Sequence, residues 1–498
     1  MLKPLDKSRW SLETAAHLLN RAGFGGPPAE IRKLAGLGPD RAVASLIDYE
    51  RIPDYTLAPD WAKPDPEEVL QRREAARDAT PEERKKLQQE EQRLQGRHML
   101  ELRQWWLSRM ARGPRPFQEK MVLFWHGHFA TSIEKVRQVP NAAYLMWRQN
   151  ELFRRLATDN WERLLVEAGK DPAMLVWLDQ AQSRKEHPNE NYAREVMELF
   201  TLGEGHYTEK DVTEAARALT GWSYDRRYQK YVYRPAFHDE GLKTVLGRTG
   251  NLNGDDVMAQ IVAQPQAAQF ITAKLWNYFA GQYPPDELNT ALAVVFREFG
   301  NNFKPLLRVL FRCEEFYAHD IVRNQVKSPV QWLVGSVRVL ECDLPPAPAS
   351  WGITRGLGQD LFAPPNVKGW DGGTTWITTN TLLMRYNLAQ AIVQGNYRMF
   401  GAGDFARKPG GQGGGPLARE LQVLPPAPVA VEKILTPAER ATREQLVAAL
   451  ERRLLQSPLT GEQEKALRDF LASKPALSDD DVRAAIRLVM ATPQYQVA

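Results

Sequence analysis

Four short stretches hold most of the side chains in this chain that are equipped for chemistry. In "VLFWHGHFATS", residues 122–132, His126 and His128 flank one glycine at the end of an apolar run, and they are two of only eight histidines in 498 residues. Paired imidazoles can ligate one metal ion or serve as acid and base. On a helix, Phe117, Met121, Phe124 and His128 share one face, whereas His126 lies about 200° away at roughly 100° per residue. Both rings reach one ion only if Gly127 breaks the helix. Otherwise His128 is a hydrogen-bonded core histidine and His126 a surface or capping one, the better reading for an isolated pair.

The second stretch, "HPNENYAREVMELFTLGEGHYTEKDV" (187–212), shifts that balance. On a helix from Pro188, the polar Asn191, Arg194, Glu195 and Glu198 fall within an arc of about 100°, and apolar residues fill the rest. So wide an apolar surface predicts burial, with the narrow polar stripe on a cavity or a polar network. Arg194 can pair with one of Glu190, Glu195 and Glu198, which leaves carboxylates for a ligand; a structural salt-bridge network is an equal alternative. In the third stretch, "AFHDEGLKTVLG", His238 and Asp239 precede Lys243 and can complete a site built elsewhere. The fourth, "PPNVKGWDGGTTWITTNTLLMRYN" (364–387), offers Asn366, Lys368, Asp371 and Arg385 on a glycine-rich turn that, taken alone, reads as structural.

The composition bounds these readings. Hydrophobic residues make up 43% and charged residues 25%, the balance of a globular chain, and the length suits two to four packed units. A net charge of only +4, with the two signs interleaved, argues against a dedicated nucleic-acid surface. Two cysteines, Cys313 and Cys342, are too few for a disulfide framework or a four-cysteine metal site. No stretch is apolar enough for a membrane span and the start lacks a signal-peptide core, so a cytoplasmic location is expected, or an exported one if a leader was removed. HExxH, GxSxG, a dinucleotide-binding GxGxxG and CxxCH are all missing.

The elements that must position these residues are helices. Periodicity and capping predict helices near 10–50, over 116–129, 139–158, 160–168, 189–202 and 208–220, and again from about 254 to 342. Residues 65–100 read as a charged helical arm that runs into a buried helix, and Tyr231 with Tyr233 marks a small β-hairpin within 222–247. The fold class is therefore mainly α: a helical core over 1–400 carrying every motif, a Gly/Pro-rich tether over 401–433, and a C-terminal helical subdomain over 434–498.

Taken together, "AAHLLNRAGFGGP", "MVLFWHGHFATS", "LDQAQSRKEHPNENYAREVMELFTLGEGHYTEKDVTEAARALTGW", "FHDEGLKTVLG" and "LFAPPNVKGWDGGTTWI" resemble the bacterial family known as domain of unknown function 1800. The resemblance covers roughly residues 10–395 and weakens beyond 434. It falls on His126, His128, Pro188, Asn189, Glu190, Asn191, Ala193, Arg194, Glu195, Glu198, Gly221, Trp222, His238, Asp239, Lys243, Asn366, Gly369 and Trp370. The family usually carries asparagine where this chain has Ser183, and a leader whose apolar core is not read in "MLKPLDKSRWSLETAAHLL". The resemblance implies no activity; it does imply a possible protein partner similar to sulfatase-like proteins.

One shared pocket would explain why ionisable motif residues concentrate in four segments. The leading expectation is an enzyme using a metal ion (Zn, Fe, Mn or Cu) or haem, for oxidation or hydrolysis of an unknown, anionic or polymeric substrate. His126, His128, His238 and Glu198 are its expected metal ligands, with Glu195, Arg194, Asp239 and Lys243 as catalytic groups. Asn191, Trp222, Asn366 and Arg385 are expected to hold the cofactor. A non-catalytic binding or assembly protein is the alternative. Metal-free acid–base catalysis by Glu195 and Glu198, about 5–6 Å apart at Cβ, comes third.

Overall fold

Proline and hydroxyl caps set where the helices begin. In the computed structural model, which describes residues 1–63, 66–400 and 425–498, Ser11 caps Leu12–Ala22 and Thr80 caps Pro81–Arg112 with Glu83 closing a capping box. Pro116 opens Pro116–His128 at a position where a missing N–H costs nothing. The result is mainly α, with helices at Ala142–Arg155, Trp161–Gly169 and Glu209–Leu219 where periodicity predicts them. The 189–202 segment divides: Glu190–Glu195 is α-helical and Val196–Thr201 widens into a π turn.

The expected hairpin is two hairpins. Trp222–Asp225 pairs antiparallel with Lys230–Tyr233, and Lys243–Val245 with Arg248–Gly250. The charged arm folds back on itself: Pro66–Asp78 and the solvated first half of Pro81–Arg112 join through Arg72 and Glu91, and burial begins at Met99. Pro64 and Asp65, at its start, lie outside the described residues.

Residues 401–424 of the expected tether also lie outside the described residues. Past the exposed 425–428 the segment packs: the Val429 amide bonds to the Val393 carbonyl (2.9 Å), and Val429 and Val431 are buried. The C-terminal helices share the hydrophobic core of the main body, since Asp479–Met490 lies on Thr379–Gln394. Near the chain end Val497 bridges Val326, and the Gln496 carboxamide oxygen accepts from the Trp332 indole (3.0 Å). No helix among the described residues is long and apolar enough to cross a membrane.

At the centre lies Pro116–His128, in which every residue from Phe117 to His128 except Gly127 is buried. Its Glu119 carboxylate accepts from Trp106 (2.9 Å), Arg109 (2.8 Å) and Arg154 (2.8 Å). Burial opposes its charge, yet the two guanidinium groups outweigh that and hold the acid below its ordinary range. Removing one partner of a buried ion network strands the others, so Glu119→Ala is expected to cost about 3–5 kcal/mol in urea unfolding. A loss under about 1 kcal/mol would show that the network does not anchor this helix.

Candidate functional site

A helix buried all round must put its polar side chains into either a network or a cavity. Pro116–His128 does both. Lys120, Leu123, Phe124, Gly127 and His128, at helical spacing, line one wall of a cavity of about 960 Å³. The opposite wall is Pro265–Ala280, whose Gln266, Gln269, Phe270, Ala273, Lys274, Asn277 and Tyr278 repeat the same spacing. Glu198 and Leu199 close one side, and the loop carrying Lys368, Trp370 and Asp371 closes another.

The cavity thus gathers three of the four motif segments, but not the expected ligand set. Gly127 does not interrupt its helix, so the condition for His126 and His128 to share an ion is not met. The His126 Nε2 lies 3.0 Å from the Asn150 side-chain amide, and its ring packs among Trp106, Phe153 and Phe362. Burial first, then the Arg154 charge, pushes its pKa down to about 3. His128 does face the cavity. Its Nε2 lies 3.0 Å from the Phe200 carbonyl oxygen, which can only accept, so Nε2 carries the proton and Nδ1 keeps a lone pair with no partner among the described residues. Burial, reinforced by Lys274, holds this imidazole neutral well below its ordinary range.

His238, Asp239 and Lys243 instead lock the hairpins. The His238 Nδ1 donates to the Thr220 carbonyl (2.9 Å) and Asp239 pairs with Arg217 (2.8 Å), which holds that acid below its usual range. Buried Lys243 donates to the Gly241 carbonyl (2.9 Å) and to Asn251 (3.3 Å), and burial lowers its pKa. None of the three lines the cavity. The described residues hold no group of three or more His, Cys, Asp or Glu placed to bind a metal ion, so the set His126, His128, His238 and Glu198 does not assemble.

The remaining expected residues divide likewise. Arg194 makes two 2.7 Å bonds to Glu209, Asn191 is exposed, and Trp222 packs so tightly on Gly254 that a Cβ there would come within 2.4 Å of its indole. Arg385 is wholly buried, donating to the Lys327 carbonyl (2.8 Å) and Gln496 (3.3 Å). Asn366 shapes the loop by accepting from the Lys368 amide (2.8 Å). Glu195 and Glu198 flank the start of the π turn, where the Leu202 amide reaches the Met197 carbonyl (2.7 Å). Glu198 lines the cavity and accepts from the Tyr207 hydroxyl (2.6 Å). Burial, then the Glu198 charge, raises the pKa of Glu195.

Two lysines outside the four motif segments also line the walls with strongly lowered pKa values. The Lys120 amine sits 5.1 Å from the Phe24 ring centroid and 5.6 Å from that of Tyr278, and burial with the Arg21 charge pushes its pKa down to about 7. Lys274 lies over Phe270 (4.9 Å), donates to the Leu199 carbonyl (3.3 Å) and is lowered by burial to about 8. Neither forms a salt bridge among the described residues. A signal existed in the sequence: Gln266, Gln269, Lys274 and Asn277 make a polar stripe on a helix otherwise apolar enough to be core.

The first motif explains a glycine of the fourth. Gly369, at φ +88°, lies against the backbone of Gly127, where a Cβ would approach the Gly127 oxygen to 2.2 Å. Gly369→Ala is expected to cost more than about 3 kcal/mol in thermal or urea unfolding and to shift the emission of neighbouring Trp370. Gly373→Ala, at φ +59° with open space around it, should cost only the left-handed backbone penalty of about 1–2 kcal/mol. Equal losses would contradict the contact.

Comparison with known proteins adds a family and nothing beyond it. No curated protein and no solved structure matches this chain. One family model matches residues 17–497, nearly the whole length. The chain therefore belongs to the family described as "Protein of unknown function (DUF1800)".

Proposed function

We propose that this chain is an enzyme that binds a polar, anionic substrate in the cavity between Pro116–His128 and Pro265–Ala280. The observation that carries the reading is the pair of desolvated amines, buried Lys120 and half-buried Lys274, on the walls, neither of which forms a salt bridge among the described residues. A desolvated cation without a counter-ion destabilises a fold, and an anionic ligand would relieve that cost. Glu198, held by Tyr207 on the same cavity, is the candidate acid or base, with the raised pKa of Glu195 beside it suiting proton transfer. Amides such as Gln269, Asn277 and Gln325 would orient a hydrogen-bonding substrate.

The reaction class divides by cofactor. A metal- or haem-dependent reaction would rest on His128, the one expected imidazole on the cavity wall, and elemental analysis with an absorption spectrum of the purified chain tests it. A metal-free hydrolysis would rest on Glu198. The competing reading is a binding or assembly protein, a sulfatase-like partner included. It is favoured by the structural employment of His126, His238, Asp239 and Arg194.

The direct test is thermal unfolding at pH 7 with phosphate, sulfate or succinate at constant ionic strength, followed by turnover of a panel of anionic esters and acidic oligosaccharides. Stabilisation that disappears in Lys274→Met but survives in Lys85→Met supports the site, and turnover lost in Glu198→Gln supports the enzyme. No anion effect, or one unchanged by Lys274→Met, refutes it.

Stability without ligand offers a second check. The folded pKa of Lys120, about 7, lies below its unfolded value, so the unfolded chain binds the extra proton between those two pH values. Its penalty is complete below pH 7 and fades as pH rises; Arg21 and Tyr278 are the ionisable groups facing it. Lys120→Met should therefore raise the urea midpoint at pH 7, with a gain that shrinks towards about pH 10. A loss of stability at pH 7 would mean that the amine is a structural asset.

A further inference from the structure

Among the described residues four lysines are buried to within a few per cent of full enclosure or have a strongly lowered pKa, and three of them are tethered. Lys243 donates to the Gly241 carbonyl (2.9 Å), Lys274 to that of Leu199 (3.3 Å) and Lys327 to that of Tyr495 (2.7 Å). Lys120, 2% exposed, is different: its amine has no hydrogen-bond partner among the described residues. It lies between the rings of Phe24 and Tyr278 and on the cavity wall.

The surroundings hold it there in a form suited to attack. The backbone oxygen of Lys120 accepts from the Tyr278 hydroxyl (3.1 Å), which fixes the helix against Pro265–Ala280. Arg21 is immobilised by the Phe279 carbonyl (3.0 Å), the Ile321 carbonyl (2.8 Å) and Asn324 (2.7 Å), so a fixed positive charge stands near the amine. An apolar pocket and a neighbouring cation are the two devices that keep a lysine amine neutral and nucleophilic. Four positions before Tyr278, Lys274 shares its helix face and supplies a second amine to the same cavity.

We infer that Lys120 is a nucleophilic amine that condenses with the carbonyl carbon of a small keto- or aldehyde-acid bound in the cavity, the carboxylate of that ligand lying towards Lys274. This rests on the reading of the cavity as an anion site and adds a covalent step to it. The Nζ lone pair forms a bond to the carbonyl carbon, giving a carbinolamine. The carbon–oxygen bond then breaks, the oxygen leaves as water with both amine protons, and a neutral imine remains. No oxidant or metal is needed.

The experiment is reductive trapping of the wild-type chain at pH 7 with glyoxylate and cyanoborohydride, whose hydride adds to the imine carbon, followed by peptide mapping. Lys120 is expected to acquire the carboxymethyl group at least about tenfold faster than exposed Lys33 and Lys85, because about half of its amines are neutral at that pH. Lys120→Arg keeps the charge and should lose this label alone. Labelling of Lys120 no faster than of Lys33 and Lys85, or preferential labelling of Lys274 or Lys327, overturns the inference. If phosphate, sulfate or succinate still stabilises the chain while Lys120 stays unlabelled, only the covalent step fails; if neither effect is seen, the anion site fails with it.

Discussion

The constraint on which the structure turns is that Pro116–His128 has no solvent face. Each of its polar side chains must find a use inside the protein, because an unpaired polar group in an apolar interior is costly. Glu119 is spent on Arg109, Arg154 and Trp106, and His126 on Asn150 within an aromatic cage. The Gly127 carbonyl is met by Gly369, whose missing side chain leaves room for it. What the packing does not consume, Lys120 and His128, comes out on the cavity. One helix therefore orders the core on one side and the candidate site on the other.

The same accounting separates support from chemistry elsewhere. Asp239 with Arg217, Lys243 with Gly241, and Arg385 with Gln496 all bind groups that leave them little freedom. The cavity groups differ. Among the described residues the His128 Nδ1 lacks a partner, and the Lys120 amine forms neither a hydrogen bond nor a salt bridge. Such features lower stability without an internal return, which is the signature expected of groups kept for a ligand.

Much of the fold was legible because its signals are local. Ser11 and Pro116 mark helix starts that the structure reproduces, and the switch from charged to apolar residues near Met99 marks where the arm enters the core. The sequence reads as one hairpin with "KTVLG" in it, and the division into two is not legible because Lys243–Val245 and Arg248–Gly250 are three residues each, too short to show a period. The site was half legible. The width of the apolar arc placed Glu198 beside a cavity, and the glycine-rich loop was seen as a turn. The convergence of three imidazoles was not met, because His126 and His128 point to different sides of an unbroken helix and His238 is bound by a local carbonyl. Lysine in a helical sequence ordinarily reads as a solvated position, so Lys120 is legible only from the packing of two helix faces, whereas Lys274 leaves the faint signal of a polar stripe on a core-like helix.

The central claim is that both cavity amines are held partly neutral in the unliganded protein. Nitrogen-15 NMR of the lysine Nζ groups, titrated with pH and assigned through Lys120→Met and Lys274→Met, measures this directly. The account predicts midpoints near the values of about 7 for Lys120 and about 8 for Lys274, both moving upward when phosphate binds. Midpoints above about 10 for both amines, the ordinary lysine value, would contradict it.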